Sequence, residues 1–462
     1  MSQKVAHNID MINGGLFKKI VAFTIPIMLQ GLIQSIYNAA DLVVVGQFTG
    51  ETALAAVGAT TSIYNVFIGL FLGISAGVDV VSSFHHGRGD KNAVKQVIDT
   101  AVVLAPILGV FVALIGFFIA GPVLVLMKTP AGGVLEGATS YLQILMIGVP
   151  FSILYNFIAA IFRTAGETKK PFIYLVISGL TNVILNIVLC AGFNLGVVGV
   201  AIATVASQIL SAIMIFVNLL INKGLFSFSF KVISFSWQKL KRIIAVGIPA
   251  GFQSAAFSLS NVFLQSGVNS FGDAAIAGST AVSTVEGLLW VTLNSFQNAN
   301  TTFVSQNVGA GKIDRARKVL RYTVLLTTVI GLVLGLGAFF GKEWVLSIFI
   351  KNSPEAMQYG FQRLTYTFPV YFMAGIMGIL PGAIRGLGQS LPPSIISLIG
   401  ACGVRILWVY TVFQVHHDLA ILYLVHPITW VLTSVALFIN YSIALKQAKK
   451  KQKNYTINKK LA

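Results

Sequence analysis

The stretch from Pro171 to Asn222 reads PFIYLVISGLTNVILNIVLCAGFNLGVVGVAIATVASQILSAIMIFVNLLIN, without a single Asp, Glu, Lys or Arg. A helix needs about 20 apolar residues to cross a hydrocarbon core of about 30 Å. The run is therefore long enough for two crossings, and Gly192-Phe193-Asn194-Leu195-Gly196 supplies the turn between them. A lone strand would leave its backbone polar groups unpaired in lipid, and a closed barrel needs alternating segments of about ten residues. The run does not alternate, so both crossings read as helices.

Working outward, further uncharged runs occupy Ile20–Ala40, Thr52–Val78, Thr100–Met127, Gly137–Phe162, Ile243–Gly272, Tyr322–Gly341, Leu364–Ile384 and Leu419–Leu445. Two more, Ala274–Gly311 and Gly386–His417, are each interrupted by one charge, Glu286 and Arg405. The expectation is an all-α integral membrane protein with twelve transmembrane helices. Composition agrees: 56% of the 462 residues are hydrophobic and 10% charged, against about 25% charged in soluble domains.

The chain carries 32 Lys and Arg against 14 Asp and Glu. With the N-terminus in the cytoplasm, the loops after even-numbered spans and the tail Lys446–Lys460 gather nearly all the basic residues on one side. Lys128, Lys342 and Lys351 are left outside. This is the positive-inside pattern of a multi-pass protein of the cell membrane, with both termini cytoplasmic. The positive charge is thus a topology signal and not a nucleic-acid footprint. The tail either lies on anionic lipid headgroups or is solvated. Cys190 and Cys402 fall in apolar spans, which argues against a disulfide, a zinc site or an iron–sulfur cluster, and no cofactor is expected.

An internal repeat organises the chain. At an offset of 222 residues, Gly87-Arg88-Gly89 meets Gly309-Ala310-Gly311, Val97 meets Val319, Arg163-Thr-Ala-Gly166 meets Arg385-Gly-Leu-Gly388, and Pro171 meets Pro393. Near the start of each half the offset is 223, where Ile25-Pro26 matches Ile248-Pro249 and Asn38 matches Asn261. The expected layout is an N-terminal six-helix bundle over 1–222, a cytoplasmic linker over 223–240, a C-terminal six-helix bundle over 241–446 and a basic tail over 447–462. An even number of spans per half puts both repeats in the same orientation, the arrangement of transporters whose halves rock about a central cleft.

Several motifs in order resemble the MATE (multidrug and toxic compound extrusion) family. They are Ile25-Pro26 with Asp41 and Gly46, Arg163-Thr-Ala-Gly166-Glu-Thr-Lys-Lys-Pro171, Thr181-Asn182-Val-Ile-Leu-Asn186 followed by Gly199-Val-Ala-Ile-Ala-Thr204, and Gln306-Asn307-Val-Gly309-Ala-Gly311-Lys312. The resemblance implies a secondary antiporter exporting organic and often cationic compounds in exchange for H⁺ or Na⁺; a monomer that is not an enzyme is the expectation.

A charge at membrane depth costs about 3 kcal/mol on insertion scales, so each one is a candidate for function. Asp41, Asp79 and Glu286 are the acids within spans. Asp41 lies about 8 Å from the outer end of span 1, Asn186 is similarly deep in span 5, Thr204 slightly deeper in span 6 and Asn182 deeper again. Asn182 and Asn186 are four apart and share a helix face. One carboxylate with three neutral oxygen donors suits a hard monovalent cation, and Asp41 alone suits a proton. The alternative is that the asparagines hydrogen-bond neighbouring helices as packing. The resemblance maps the first-bundle cation site onto Asp41, Asn182, Asn186 and Thr204. It also marks a departure: many members carry Asp where this chain has Asn186, which leaves the coupling ion open.

Gln34, Tyr37 and Asn38 on span 1, with Gln253 and Glu286, are candidates for the substrate cavity, and Pro26 for a hinge. Glu286 either faces the cleft or pairs with Arg405. Asp79 reads as a water-exposed acid at the inner interface, and His85-His86 as a solvated pair. The rival function is a lipid-linked saccharide flippase of the same superfamily, which calls for a strongly basic cleft. The charges within spans read as three acids against Arg405, with Arg363 at the margin. No Walker motif, HExxH or paired-carboxylate pattern supports ATP drive or catalysis.

Overall fold

The computed structural model describes residues 9–127, 129–350 and 353–461. Lys128 and Lys351 lie outside the described residues. Among the described residues, twelve helices are long and apolar enough to cross a membrane. They are α1 (Leu16–Phe48), α2 (Glu51–Gly87), α3 (Lys91–Leu126), α4 (Gly133–Thr164), α5 (Lys169–Ile187, continued by a π-turn at Val188–Gly192), α6 (Gly196–Ile221), α7 (Trp237–Asn269), α8 (Asp273–Gly309) and α9 (Ile313–Phe340). The series ends with α10 (Pro354–Gly386), α11 (Leu391–Val415) and α12 (Leu419–Leu461). A short helix, Lys342–Ser347, precedes α10. Every described element is helical, as the apolar runs require.

The helices outrun the apolar stretches. α10 starts ten residues before Leu364, so Arg363 lies well inside a helix. Pro26 and Pro249 sit inside the continuous helices α1 and α7, where each removes a helical hydrogen bond.

The duplication is visible in backbone geometry. Gly50 and Gly272 have φ of 86° and 87°, Gly89 and Gly311 of 76° and 70°, and Gly166 and Gly388 of 79° and 93°. Each pair stands 222 residues apart. At Gly89 and Gly311 the left-handed conformation turns the chain from α2 into α3 and from α8 into α9, a geometry a side chain resists. The loop at Gly89 ends in Asp90, whose carboxylate accepts from the Ala93 N–H at 3.0 Å and caps α3. That hydrogen bond, first among the causes, holds the Asp90 carboxyl below its ordinary range. The cap is therefore fully present at neutral pH and is lost only as acid protonates the carboxylate.

The chain forms two compact units. One is Ile25–Gly247 with the start of the chain through Asp10; the other is Met11–Thr24 with Ile248–Ala462. α1 thus begins in the second unit and finishes in the first, and α7 does the reverse. Both changeovers fall one residue before the residue pair's proline, at Ile25-Pro26 and Ile248-Pro249.

Within the first unit, the segment 223–236 is docked rather than loose. Asp99 is fully buried and accepts from Lys95 Nζ at 2.8 Å and from the Ser234 N–H at 2.9 Å. Lys95 also donates to the Ser227 carbonyl at 2.9 Å, and the Ser236 N–H donates to Thr100 Oγ1 at 3.1 Å. Phe228 is buried in the same core as Val97 and Ile98.

Small residues set the helix spacing. A Cβ on Gly109 would lie inside van der Waals contact of Pro150 on α4, and its repeat partner Gly331 would place one 2.8 Å from the Phe372 Cα on α10. Gly109→Leu and Gly331→Leu are each expected to lower stability by about 1–3 kcal/mol or more through overpacking, read by thermal unfolding in detergent. Unchanged melting of both would show that these helices do not touch there.

Candidate functional site

In the first unit, α1, α5 and α6 bring together four of the residues expected from sequence. The Asn186 amide donates from one Nδ2 both to Asp41 Oδ1 and, at 3.3 Å, to Asn182 Oδ1. Asn182 Nδ2 in turn lies 3.5 Å from Thr204 Oγ1, and the Thr204 hydroxyl stands beside the Asp41 carboxyl. Asp41 is 9% exposed, Asn182 4% and Asn186 0%. No basic side chain pairs with Asp41 among the described residues.

Helix packing explains why these groups meet. The Tyr37 ring lies against the bare backbone of Gly179 on α5, with no room for a Cβ, and Tyr37 Oη donates to the Val176 carbonyl at 3.1 Å. That contact clamps α1 to α5 about one turn before Asp41 and about two turns before Asn186. Gln34 and Asn38 are exposed on the Asp41 face of α1. Tyr155, not anticipated from sequence, accepts from Gln30 at 3.2 Å and donates to the Pro171 carbonyl at 2.8 Å, tying α1, α4 and α5 together.

The donor set fits a monovalent cation or a proton: one carboxylate, two amide oxygens and a hydroxyl. Among the described residues no group of three His, Cys, Asp or Glu side chains is placed to hold a metal. The Asn186 amide nitrogen stands between the Asp41 and Asn182 oxygens. Its own Oδ1 is buried without a hydrogen-bond partner. Rotation of that amide would exchange a donor for an acceptor.

Asp79 is not a water-exposed interfacial acid. It is 2% exposed, accepts from Arg163 Nε at 3.2 Å and from Ser83 at 3.1 Å. Nor is His85 solvated: it is 3% exposed and lies 2.9 Å from Lys239 Nζ.

In the second unit Glu286 pairs with Arg363, not Arg405. Arg363 Nη2 and Nε donate to its two carboxylate oxygens at 2.6 and 3.3 Å, and Thr367 adds a third bond at 3.3 Å. Arg363 also donates to the Ser279 hydroxyl and carbonyl. Gln253 accepts from Arg385, which is buried and whose Nε has no hydrogen-bond partner among the described residues. Arg363 and Arg385 therefore join Arg405 as buried charges, and the count of three acids against one arginine understates the basic side.

Comparison with known proteins agrees with this architecture. The MatE family model matches residues 26–188 and 249–411, once per repeat. The chain is 28% identical over 398 residues to the probable multidrug resistance protein YoeA of Bacillus subtilis, covering 85% of this chain and 86% of that one. It is 24% identical to the probable multidrug resistance protein NorM of Thermotoga maritima, over 84% of each. Among solved structures, MATE in complex with MaL6 superposes with a TM-score of 0.89 at 21% identity, covering 96% of this chain and all of that one. An outward-facing multidrug resistance MATE transporter of the MOP superfamily does so with the same score over 97% of this chain and all of that one.

A duplicated twelve-helix fold with buried, neutral-liganded charge defines a multi-pass membrane protein of transporter architecture. The chain belongs to the MatE family.

The Asp79–Arg163 pair offers a direct test of burial energetics. Asp79→Leu is expected to cost about 3–5 kcal/mol by stranding the Arg163 charge, and the double variant with Arg163→Met to recover most of it. A double-mutant cycle on unfolding in detergent measures this; simple additivity would mean the two charges do not interact.

Proposed function

We propose that this protein is a secondary active antiporter of the cell membrane, with both termini cytoplasmic, that exports organic and often cationic compounds in exchange for H⁺ or Na⁺. The observation that carries this reading is the Asp41 carboxylate, buried on α1 and liganded by the neutral Asn186 amide without a basic partner. A carboxylate so placed accepts a cation or proton without first breaking an ion pair. The relatives named as multidrug resistance proteins support the export of drugs.

In this mechanism the entering ion takes the place of the Asn186 amide nitrogen. The amide turns its unpartnered oxygen inward, and Asn182 and Thr204 complete the oxygen set. If H⁺ is the coupling ion, it sits on Asp41 and the amide loses its charged acceptor. Either event weakens the hold of α5 on the outer part of α1, and the bend at Pro26 lets that part move. Gln34, Tyr37 and Asn38 lie on or beside the moving face, so substrate contact changes with ion occupancy. Gln253 and Glu286 accept from Arg385 and Arg363, so in this reading they hold the second unit's buried charges.

Dye-loaded vesicles under an imposed pH or Na⁺ gradient test the proposal. Asp41→Asn is expected to slow gradient-driven efflux by about 5–150-fold, the range of a coupling free energy of 1–3 kcal/mol. Efflux at the wild-type rate, or efflux that needs neither gradient, would overturn the antiport reading.

Asn186→Asp adds the carboxylate missing from the site. It is expected to strengthen Na⁺ binding, read as a lower Na⁺ concentration for half-maximal efflux.

A further inference from the structure

The charges of the second unit do not balance. Glu286 is saturated by Arg363 and Thr367, at 2.6–3.3 Å, so its charge is already matched. Arg405 lies within Coulombic range of both, yet no carboxylate stands within ion-pair distance of it among the described residues. It is 4% exposed. Its Nη1 donates to Asn261 Oδ1 at 3.1 Å and its Nε points to Thr429 Oγ1 at 3.5 Å, both neutral acceptors. Nη2 makes no hydrogen bond to any described residue. Arg405 is about 15 Å from the outer end of α11, where an unmatched charge is costly.

We propose that the second unit binds the carboxylate of an organic monoanion on Arg405. This goes beyond the antiport reading, because it concerns what binds and not what drives transport.

Four observations point to that ligand. At this depth one positive charge lacks a carboxylate and is neutralised by one negative charge, whereas a dianion would leave an excess; Arg385, the other buried arginine met by neutral acceptors, stands at the inner end of α10. The planar guanidinium, with Nη2 free, presents donors matched to a carboxylate. Asn261 is exposed, so the neutral partner of Arg405 opens onto the surface of the unit. Buried aromatic rings make the interior around the arginines apolar: Tyr371 packs edge-on to Trp430 at 5.4 Å, His426 lies 5.6 Å from Trp430, and Arg363 covers Tyr423 at 5.6 Å. These suit an organic body better than a hydrated inorganic ion.

The repeat adds a contrast. At the offset of 222, Val183 beside Asn182 corresponds to Arg405, and Thr204 corresponds to His426. One place in the duplicated fold thus holds an acid without a base in the first unit and a base without an acid in the second.

The test uses the full chain purified in detergent at low chloride, with benzoate as the probe and benzamide as its uncharged counterpart, followed by calorimetry. Benzoate is expected to bind saturably and benzamide at least tenfold more weakly. Arg405→Gln should weaken benzoate at least tenfold, and Arg405→Lys should restore part of that loss. Equal binding of benzoate and benzamide to the wild type would overturn the proposal, and this comparison stands even if Arg405→Gln does not fold. Undiminished benzoate binding by a folded Arg405→Gln would overturn it as well. Chloride displacing benzoate at comparable concentration would assign Arg405 to inorganic anions and refute the organic ligand. None of these outcomes bears on whether a gradient drives efflux.

Discussion

Hydrocarbon offers neither hydrogen bonds nor counter-ions, and each polar group carried to membrane depth must be met by the chain itself. That constraint accounts for most of the polar architecture. Asp79 takes Arg163 and Ser83, and Glu286 takes Arg363 and Thr367. Asp99, at the inner end of α3, takes Lys95 and a backbone N–H of the connecting segment. Where the pairing is complete, the group is part of the scaffold. Asp41, Arg405 and Arg385 are incomplete, each buried and each answered by neutral partners among the described residues, and the first two carry the functional reading.

The duplicated scaffold and its chemistry have diverged separately. Three pairs of glycines share backbone conformation across the repeat, and the close approach at Gly109 recurs at Gly331. The side chains hung on this frame do not follow the symmetry. Arg163 has Asp79 for a partner, while the equivalent Arg385 has Gln253 and Ser394 and no carboxylate among the described residues. Backbone turns and helix contacts tolerate little change, whereas a polar side chain can be exchanged wherever a local partner is lost with it.

Much of the fold was legible because hydrophobic run length reports spanning helices directly. The first-unit cluster was legible too: Asn182 and Asn186 share a face by spacing, and depth arithmetic puts Asp41 and Thr204 at nearby levels. Their meeting in the structure depends on the Tyr37–Gly179 contact, which spacing does not reveal. The Glu286 partner was hidden because Arg363 precedes an apolar run by one residue and reads as marginal, while its helix starts well before it. Asp79 and His85 read as exposed because they sit near an inner helix end. Their burial comes from α4 and α7, brought over them by tertiary packing. The docking of segment 223–236 had no sequence signal beyond the position of Asp99 at the edge of span 3.

The crossing of α1 and α7 bears on biogenesis. The first fourteen residues assigned to the later-made unit, Met11–Thr24, leave the ribosome before any of that unit's other helices. They must wait, inserted but unmatched, until α8 through α12 are synthesised. The stretch that ends at Gly247 likewise completes the earlier half only after the connecting segment has emerged. Neither half is then a self-sufficient product of translation, and the two would mature as a joint assembly instead of one after the other. Co-expressed fragments cut at the segment 223–236 would each lack a piece of their own unit, held on the other polypeptide.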